Sequence, residues 1–302
     1  MEHTNYSEYE LNRTGGDGKG TGMVKPQDIA QMQEKLFDIL VYFDEFCEKY
    51  GVRYSLAGGT CIGAVRDNDF IAWDDDLDVA VLREDYDKLF ELWDQYGDKE
   101  SFSLYRTTDD FCSYMPIGVM RNNNTTFIRE NEKGLTDRIL GVKIDIEPMD
   151  EIPVDFTKRK IQRIFAAMYV LFLTQRRPRR KSKVETVGAT ILLGLFRGKR
   201  IRNKIIEVCG RQAQKYNGTG CEKVAINGYG FVRYKTDIIE PTKMLFHGKY
   251  FNVPAEYDEF LKRGYGDWHQ KPPVEKRIPG DTPYYYDLNT PYRQFVEIHT
   301  LD

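Results

Sequence analysis

The chain has 302 residues, 41% hydrophobic and 13% aromatic, which suffices for one large domain with a substantial core or for a domain carrying an insertion. Its five cysteines are odd in number and form neither a C-x-x-C pair nor a metal-ligand spacing, which excludes a disulfide-stapled scaffold and points to a reducing compartment. The formal charge of −3 is unremarkable, and no apolar run approaches the roughly 20 residues that a membrane-spanning helix needs.

Residues 1–22 are polar and Gly-rich, the reverse of a signal peptide, and read as a flexible lead-in that extends to about residue 25. From Pro26, the residues Ile29, Met32, Leu36, Leu40, Phe43 and Tyr50 recur at helical spacing, with Gly51 as the stop. "VRYSLA" reads as a short strand running into Gly58-Gly59, and "TCIGAVRD" as a short helix opened by Thr60. After a loop through Phe70 and Trp73, "LDVAVL" is a strand and "REDYDKLFELWDQYG" an amphipathic helix closed by Gly97. Further strands are expected at "FSLYR", "MPIGVMR", "TTFIR" and "VKIDIEPM". This order predicts an α/β (α+β) domain in which a mixed sheet is flanked by helices.

The character changes after Pro153. Residues 156–206 hold 15 Lys/Arg and a single acid, Glu185, leaving 29 basic against 46 acidic residues elsewhere, a balance of −17. Two apolar bursts in this segment, "IFAAMYVLFL" and "VGATILLGLF", each run directly into a basic cluster that includes, in the first case, Arg176, Arg177, Arg179 and Arg180. Such helices suit a membrane surface or an anionic acceptor; the alternative is a helical hairpin covering the sheet with its charges merely solvated. Nucleic acid fits less well, because the arginines lack interleaved aromatics of the stacking kind apart from Tyr169 and Phe172.

The chemistry-bearing stretch is "GGTCIGAVRDNDFIAWDDDLDVAV", which puts four acids into five positions between hydrophobic runs. Carboxylates this close repel one another unless a cation sits among them. Strand alternation would place Asp74, Asp76 and Asp78 on one face, with Asp75, Leu77 and Val79 on the other. Two acids one residue apart can hold the kind of divalent ion that also grips substrate phosphates. Upstream, Gly58, Gly59 and Thr60 form a turn whose free N–H groups could receive phosphate. Downstream, Asp145 lies between two isoleucines mid-strand, where an unused acid is costly. Glycine pair, D-x-D and a lone strand aspartate together form the layout of a nucleotidyltransferase core. The alternative is an acidic turn and an unrelated strand acid.

These residues resemble the signature of the LicD family of phosphotransferases, whose usual form runs G-T-L-L-G-A-V-R and then F-I-P-W-D-D-D-I-D, matched here without a gap by "GGTCIGAVRDNDFIAWDDDLDV". The resemblance continues in "FDEFCEKYGVRYSL", in "KIDIEPMD" and in "KRGYGDWHQKPPVEKR", spanning roughly Pro26 to Arg277 and weakest over 156–206. Departures are Asp67 and Asp69 where the family often has His and Gly, Ala72 for Pro, and Trp268-His269 for Tyr-Met; the two acids make the approach to the site more negative.

The resemblance implies a nucleotidyltransferase-like fold that moves the distal phospho-group of a CDP-linked donor, phosphocholine or a polyol phosphate, to a glycan hydroxyl and releases CMP. It implies Mg²⁺ (or Mn²⁺) held by Asp76 and Asp78, with Asp145 as a further ligand or as proton acceptor, and Asp74 and Asp75 in support. Gly58, Gly59 and Thr60 would cradle phosphate, and Lys271 and Arg277 would close over the donor or only pack as a tail. Arg66 would pair with phosphate or, equally, with Asp74 or Asp75. The acceptor would be a cell-surface polysaccharide, teichoic acid or lipid-linked precursor, met by a cytoplasmic enzyme at the inner membrane face. The competing reaction on the same carboxylates is nucleotidyl transfer from an NTP with release of pyrophosphate; a non-catalytic polymer-binding role would leave the aspartates dispensable. The chain divides into the lead-in 1–25, a catalytic core 26–155, a basic helical insertion 156–206, and 207–302 completing the catalytic domain.

Overall fold

A computed structural model describes residues 23–299 apart from 109, 134, 136, 176–182, 220–223, 228–232, 236–239 and 282. Arg176, Arg177, Arg179 and Arg180 therefore lie outside the described residues. A 3₁₀ turn over Pro26–Asp28 leads into α1 (Ile29–Tyr50), whose stripe of Ile29, Met32, Leu36, Ile39, Leu40, Phe43, Phe46 and Cys47 is buried. Gly51 ends it at φ +65°, donating its N–H to the carbonyls of Cys47 and Glu48, the left-handed stop that glycine adopts without steric cost. The packed chain begins a little before this helix, since Val24 is fully buried and the Lys25 N–H donates to the Tyr286 hydroxyl.

A mixed sheet lies against α1. Its order is β1 (Ser55–Leu56), β2 (Asp78–Leu82), β6 (Lys143–Glu151), β4 (Gly118–Asn122) and β3 (Phe102–Tyr105), with β7 (Val224–Asn227) and β8 (Arg233–Lys235) continuing from the far end of β6. Only β2 and β6 are parallel, and the crossover between them includes α3 (Arg83–Tyr96), whose Tyr86, Leu89 and Trp93 are buried. The face made by Val79, Val81, Ile144 and Ile146 is fully buried, so the register of these two strands cannot slip by one residue without turning that set outward.

The C-terminal part returns to this core. The hairpin of β9 (Pro241–Phe246) and β10 (Lys249–Pro254) packs beside β1, with Phe246, Phe251 and Val253 buried. β11 (Pro283–Asp287) pairs with β5 (Thr126–Arg129), and α8 (Tyr292–His299) follows it. Between β6 and β7 stand three helices, α4 (Phe156–Thr174), α5 (Lys183–Leu195) and α6 (Lys199–Ala213). No described helix is long and apolar enough to cross a membrane.

The β9–β10 turn uses His247 and Gly248, both at positive φ (46° and 82°), the conformation that closes a tight two-residue hairpin. Its tip is pinned to the core: the His247 N–H donates to the Asn68 carbonyl at 3.0 Å, and the imidazole meets Asp69 at 2.6 Å and Glu34 at 3.2 Å. Burial pushes the His247 pKa down, but the two carboxylates outweigh it and hold the value above that of a free histidine. A raised folded-state value means that the protonated ring is favoured in the folded chain. The stabilisation is full below the unfolded value near pH 6.5 and is lost as pH rises through the raised one. His247→Gln is expected to flatten this part of the stability–pH profile, measured by urea unfolding from pH 5.5 to 8.5, with wild type losing more stability than the variant toward the alkaline end.

Candidate functional site

The site forms where the chain enters β2. From Asp74 to Val79 burial alternates strictly, with Asp75, Leu77 and Val79 inside and Asp74, Asp76 and Asp78 half-buried. This is the alternation expected from the sequence, but regular strand pairing starts only at Asp78. Asp78 is fastened on three sides. Its carbonyl accepts from the Ala57 N–H at 2.9 Å, its N–H donates to Thr60 Oγ1 at 3.0 Å, and it stands in register with Asp145 on the parallel neighbour β6. The Asp145 N–H donates to the Leu77 carbonyl at 2.8 Å, so the ladder runs across the same point. Register partners of a parallel pair point to the same face, and Asp78 and Asp145 therefore share one side of the sheet.

Alternation along β6 sets Lys143 and Glu147 on that side with Asp145. Neither was singled out from the sequence, although K-I-D-I-E is itself a period-two pattern and carried the signal. Lys143 is buried and bonds Asp145 Oδ1 through Nζ. Asp78 has its pKa pushed well up by burial, and then by the negative charges of Asp76, Glu147 and Asp145, against which Lys143 acts in the opposite direction. The cluster gathers four carboxylates, with Lys143 on Asp145 and Arg129 acting on Asp145 as well, and a divalent cation with substrate phosphates is the chemistry that such a cluster suits. Among the described residues no three His, Cys, Asp or Glu side chains are grouped so as to hold an ion by themselves. Lys143 engages Asp145 on this face. A cation here would take part of its shell from a ligand, as Mg²⁺ commonly does.

The glycine pair opens α2 (Gly58–Ile62), two residues earlier than the expected start at Thr60, and the helix widens at once into a π-helical turn over Gly63–Asp67. Gly58 has φ +57°, and a Cβ there would stand 2.6 Å from Asp78 Oδ2 and 3.3 Å from the Tyr265 hydroxyl. A Cβ on Gly59 would stand 2.7 Å from Asp74 Oδ2. The glycines therefore let the backbone approach the carboxylates closely. Thr60, expected to offer its hydroxyl to phosphate, is only 2% exposed and spends Oγ1 on Asp78.

The expected cations are accounted for in turn. Arg66 pairs with Asp67 at 2.9 Å and donates to the Trp268 carbonyl, rather than reaching Asp74 or Asp75. Lys271 reaches the same Asp67 at 3.1 Å, so Asp67 joins the π turn to the C-terminal stretch. Arg66 and Lys271 hold the Asp67 pKa below the usual range despite a contrary push from burial. Asp67 and Asp69 thus do not make the approach more negative, since Asp69 is taken by His247. Arg277 lies over the Trp73 ring at 5.3 Å, beside the aspartates. Asp75 is buried and accepts from the N–H groups of Gly280 at 2.7 Å and Asp281 at 3.1 Å. Burial, then Asp281 and Asp76, push its pKa up to about 8. Asp281 in turn pairs with Arg129 on β5. Tyr265 ends α7 (Tyr257–Tyr265), which packs against α2.

Comparison with known proteins gives the same region. Residues 51–160 match the LicD/FKTN/FKRP nucleotidyltransferase domain. The chain is 27% identical to the lipopolysaccharide cholinephosphotransferase LicD of Haemophilus influenzae, over 85% of this chain and 97% of that protein. It is 26% identical to an uncharacterized protein of Rickettsia prowazekii over 32% of this chain and 37% of that protein.

Gly58→Ala tests the close approach. Gly248 also has positive φ, but a Cβ there meets nothing within 4 Å. Gly248→Ala is expected to cost about 1–2 kcal/mol from backbone strain alone. Gly58→Ala should cost more and should lower turnover at the site by about 100-fold through displacement of Asp78. Chemical denaturation and steady-state rates on both variants measure the difference; equal rates for the two would remove Gly58 from the site.

Proposed function

The chain belongs to the LicD family of phosphotransferases, and from that premise we propose that it moves phosphocholine, or a polyol phosphate, from a CDP-linked donor to a glycan hydroxyl. The observation that carries this reading is the carboxylate face at the head of two parallel strands, where Asp78 and Asp145 stand in register with Asp76 and Glu147 beside them. The lipopolysaccharide named for the Haemophilus influenzae relative makes a lipopolysaccharide, or another cell-surface or lipid-linked glycan, the natural acceptor class, reached from the cytoplasmic side.

The residues divide the work as follows. Asp76 and Asp78 would hold Mg²⁺ or Mn²⁺, which would supply positive charge to neutralise the donor pyrophosphate. Asp145, oriented by Lys143, takes the proton of the acceptor hydroxyl as its oxygen forms the new bond to the distal phosphorus. The bond between that phosphorus and the bridging oxygen breaks, and CMP leaves with the electron pair. Lys143 keeps Asp145 aimed. Asp75, tied to Gly280 and Asp281, holds the aspartate run in place from its buried side. Gly58 and Gly59 keep the space beside the carboxylates open to a phosphate, and Arg277 with Trp73 borders it.

The test is product analysis by mass spectrometry on the full chain with Mg²⁺, offered CDP-choline, CDP-glycerol, CDP-ribitol and CTP. CMP release from one CDP-linked donor is expected, with water as a slow acceptor, and Asp76→Asn/Asp78→Asn should lower it at least about 100-fold. Undiminished CMP release from the double variant would sink the assignment. Pyrophosphate from CTP would move the protein to nucleotidyl transfer on the same carboxylates.

A further inference from the structure

Helix α5 presents the wrong face to solvent for a helix that meets only water. The run Thr186–Phe196 carries no charged residue. Ala189 is buried, and the end of the helix is tied down by the Phe172–Phe196 ring contact at 6.1 Å. On the side away from Ala189, Val187, Ile191 and Leu195 recur at i, i+4 and i+8 and are 57%, 54% and 70% exposed. A solvated helix carries polar residues there, and a contiguous exposed apolar stripe marks an interaction surface. Ile164 on α4 and Ile201 on α6 are exposed as well.

The charges around this stripe identify what covers it. Basic residues crowd both ends of α5 in the sequence, from Arg176 to Lys183 before it and from Arg197 to Lys204 after it, while the rest of the chain is net acidic. Among the described ones, Arg197, Lys199 and Arg200 are exposed. At 13 residues the helix is about 20 Å long, too short to cross a bilayer core of about 30 Å but suited to lie along its surface. We propose that α5 and the cations that follow it, Arg197, Lys199 and Arg200, form a docking surface for an anionic lipid bilayer, with Val187, Ile191 and Leu195 inserted among the acyl chains and the cations on the headgroups. This inference stands on exposure and charge and does not depend on the donor chemistry.

Vesicle co-sedimentation of the full chain tests it, using phosphatidylcholine vesicles with and without phosphatidylglycerol. Binding to the anionic vesicles alone is expected, weakening with salt. Ile191→Glu/Leu195→Glu should lower the partition coefficient at least about tenfold, and Arg197→Glu/Arg200→Glu should lower it too. Far-UV circular dichroism and thermal unfolding confirm that the variants fold, and Val187→Ser/Leu195→Ser provides a milder change should the glutamates disturb the helix. Absence of binding to anionic vesicles would overturn the proposal. So would binding that follows charge alone and ignores the apolar variants, which would make the segment a site for an anionic polymer. A dimer in sedimentation velocity that the apolar variants dissociate, without vesicle binding, would instead assign the stripe to a second copy of the chain.

Discussion

Asp78 stands where two demands conflict. The sheet needs it at the head of β2, where its backbone bonds the Ala57 N–H and the Thr60 hydroxyl and its register partner is Asp145. Electrostatics resists a carboxylate there, because burial and three neighbouring acids all penalise its charge. The fold resolves this by fixing the backbone so firmly that the side chains cannot separate: Leu77 and Val79 are fully buried on the other side of the strand. Carboxylates held this close are costly, and a cation among them would lower that cost. A carboxylate perturbed in this way is what makes the cluster a candidate binding site.

The C-terminal part completes this arrangement from outside the matched domain. Among the described residues, the contacts that join it to the aspartate run and the turn after the glycine pair include Asp75 to Gly280 and Asp281, Asp67 to Lys271, Arg66 to the Trp268 carbonyl and Arg277 over Trp73. None is a large apolar interface. Each instead satisfies a charge or a close approach that the core leaves open, so residues beyond 260 shape the site through a few directed contacts. The buried Asp75 shows the principle. Of the four acids in the run it faces inward, and it is accommodated because two backbone N–H groups from about 200 residues away in the sequence meet it.

What could be read in the sequence was what a single period or a local motif records. The 3.6-residue recurrence from Ile29 and the Gly51 stop placed α1 almost to the residue. The two-residue alternation through Asp74–Val79 forecast which acids face inward, because alternation persists even where ladder bonds do not. What escaped was set by contacts distant in sequence. Arg66 at the end of a short helix suggested phosphate or a neighbouring aspartate, whereas its partners are the adjacent Asp67 and the backbone of Trp268. Thr60 turned inward because the N–H of Asp78 needed an acceptor. Arg121, fully buried and paired with Glu132, sits in a strand that reads as ordinary. The His247-Gly248 turn carries no Asn-Gly or Asp-Gly signature, and the hairpin it closes went unread.

The separation of charge along the chain follows from the same logic as the site. On the function proposed here, an acidic core suits a site that takes up divalent cations, since each arriving cation relieves repulsion already present. A basic segment inside that core would collapse onto the carboxylates and compete with the donor. The described helices of this basic stretch follow β6 in the chain, away from the run that carries Asp76 and Asp78 in sequence. Those helices still need anchoring, which Gln162 provides by donating to the carbonyls of Glu151 and Ala213 at 2.8 Å each. The buried amide ties the root of the basic helices to the end of β6, the strand that carries Asp145. A single strand thus bears Asp145 toward one end and leads into the basic helices at the other.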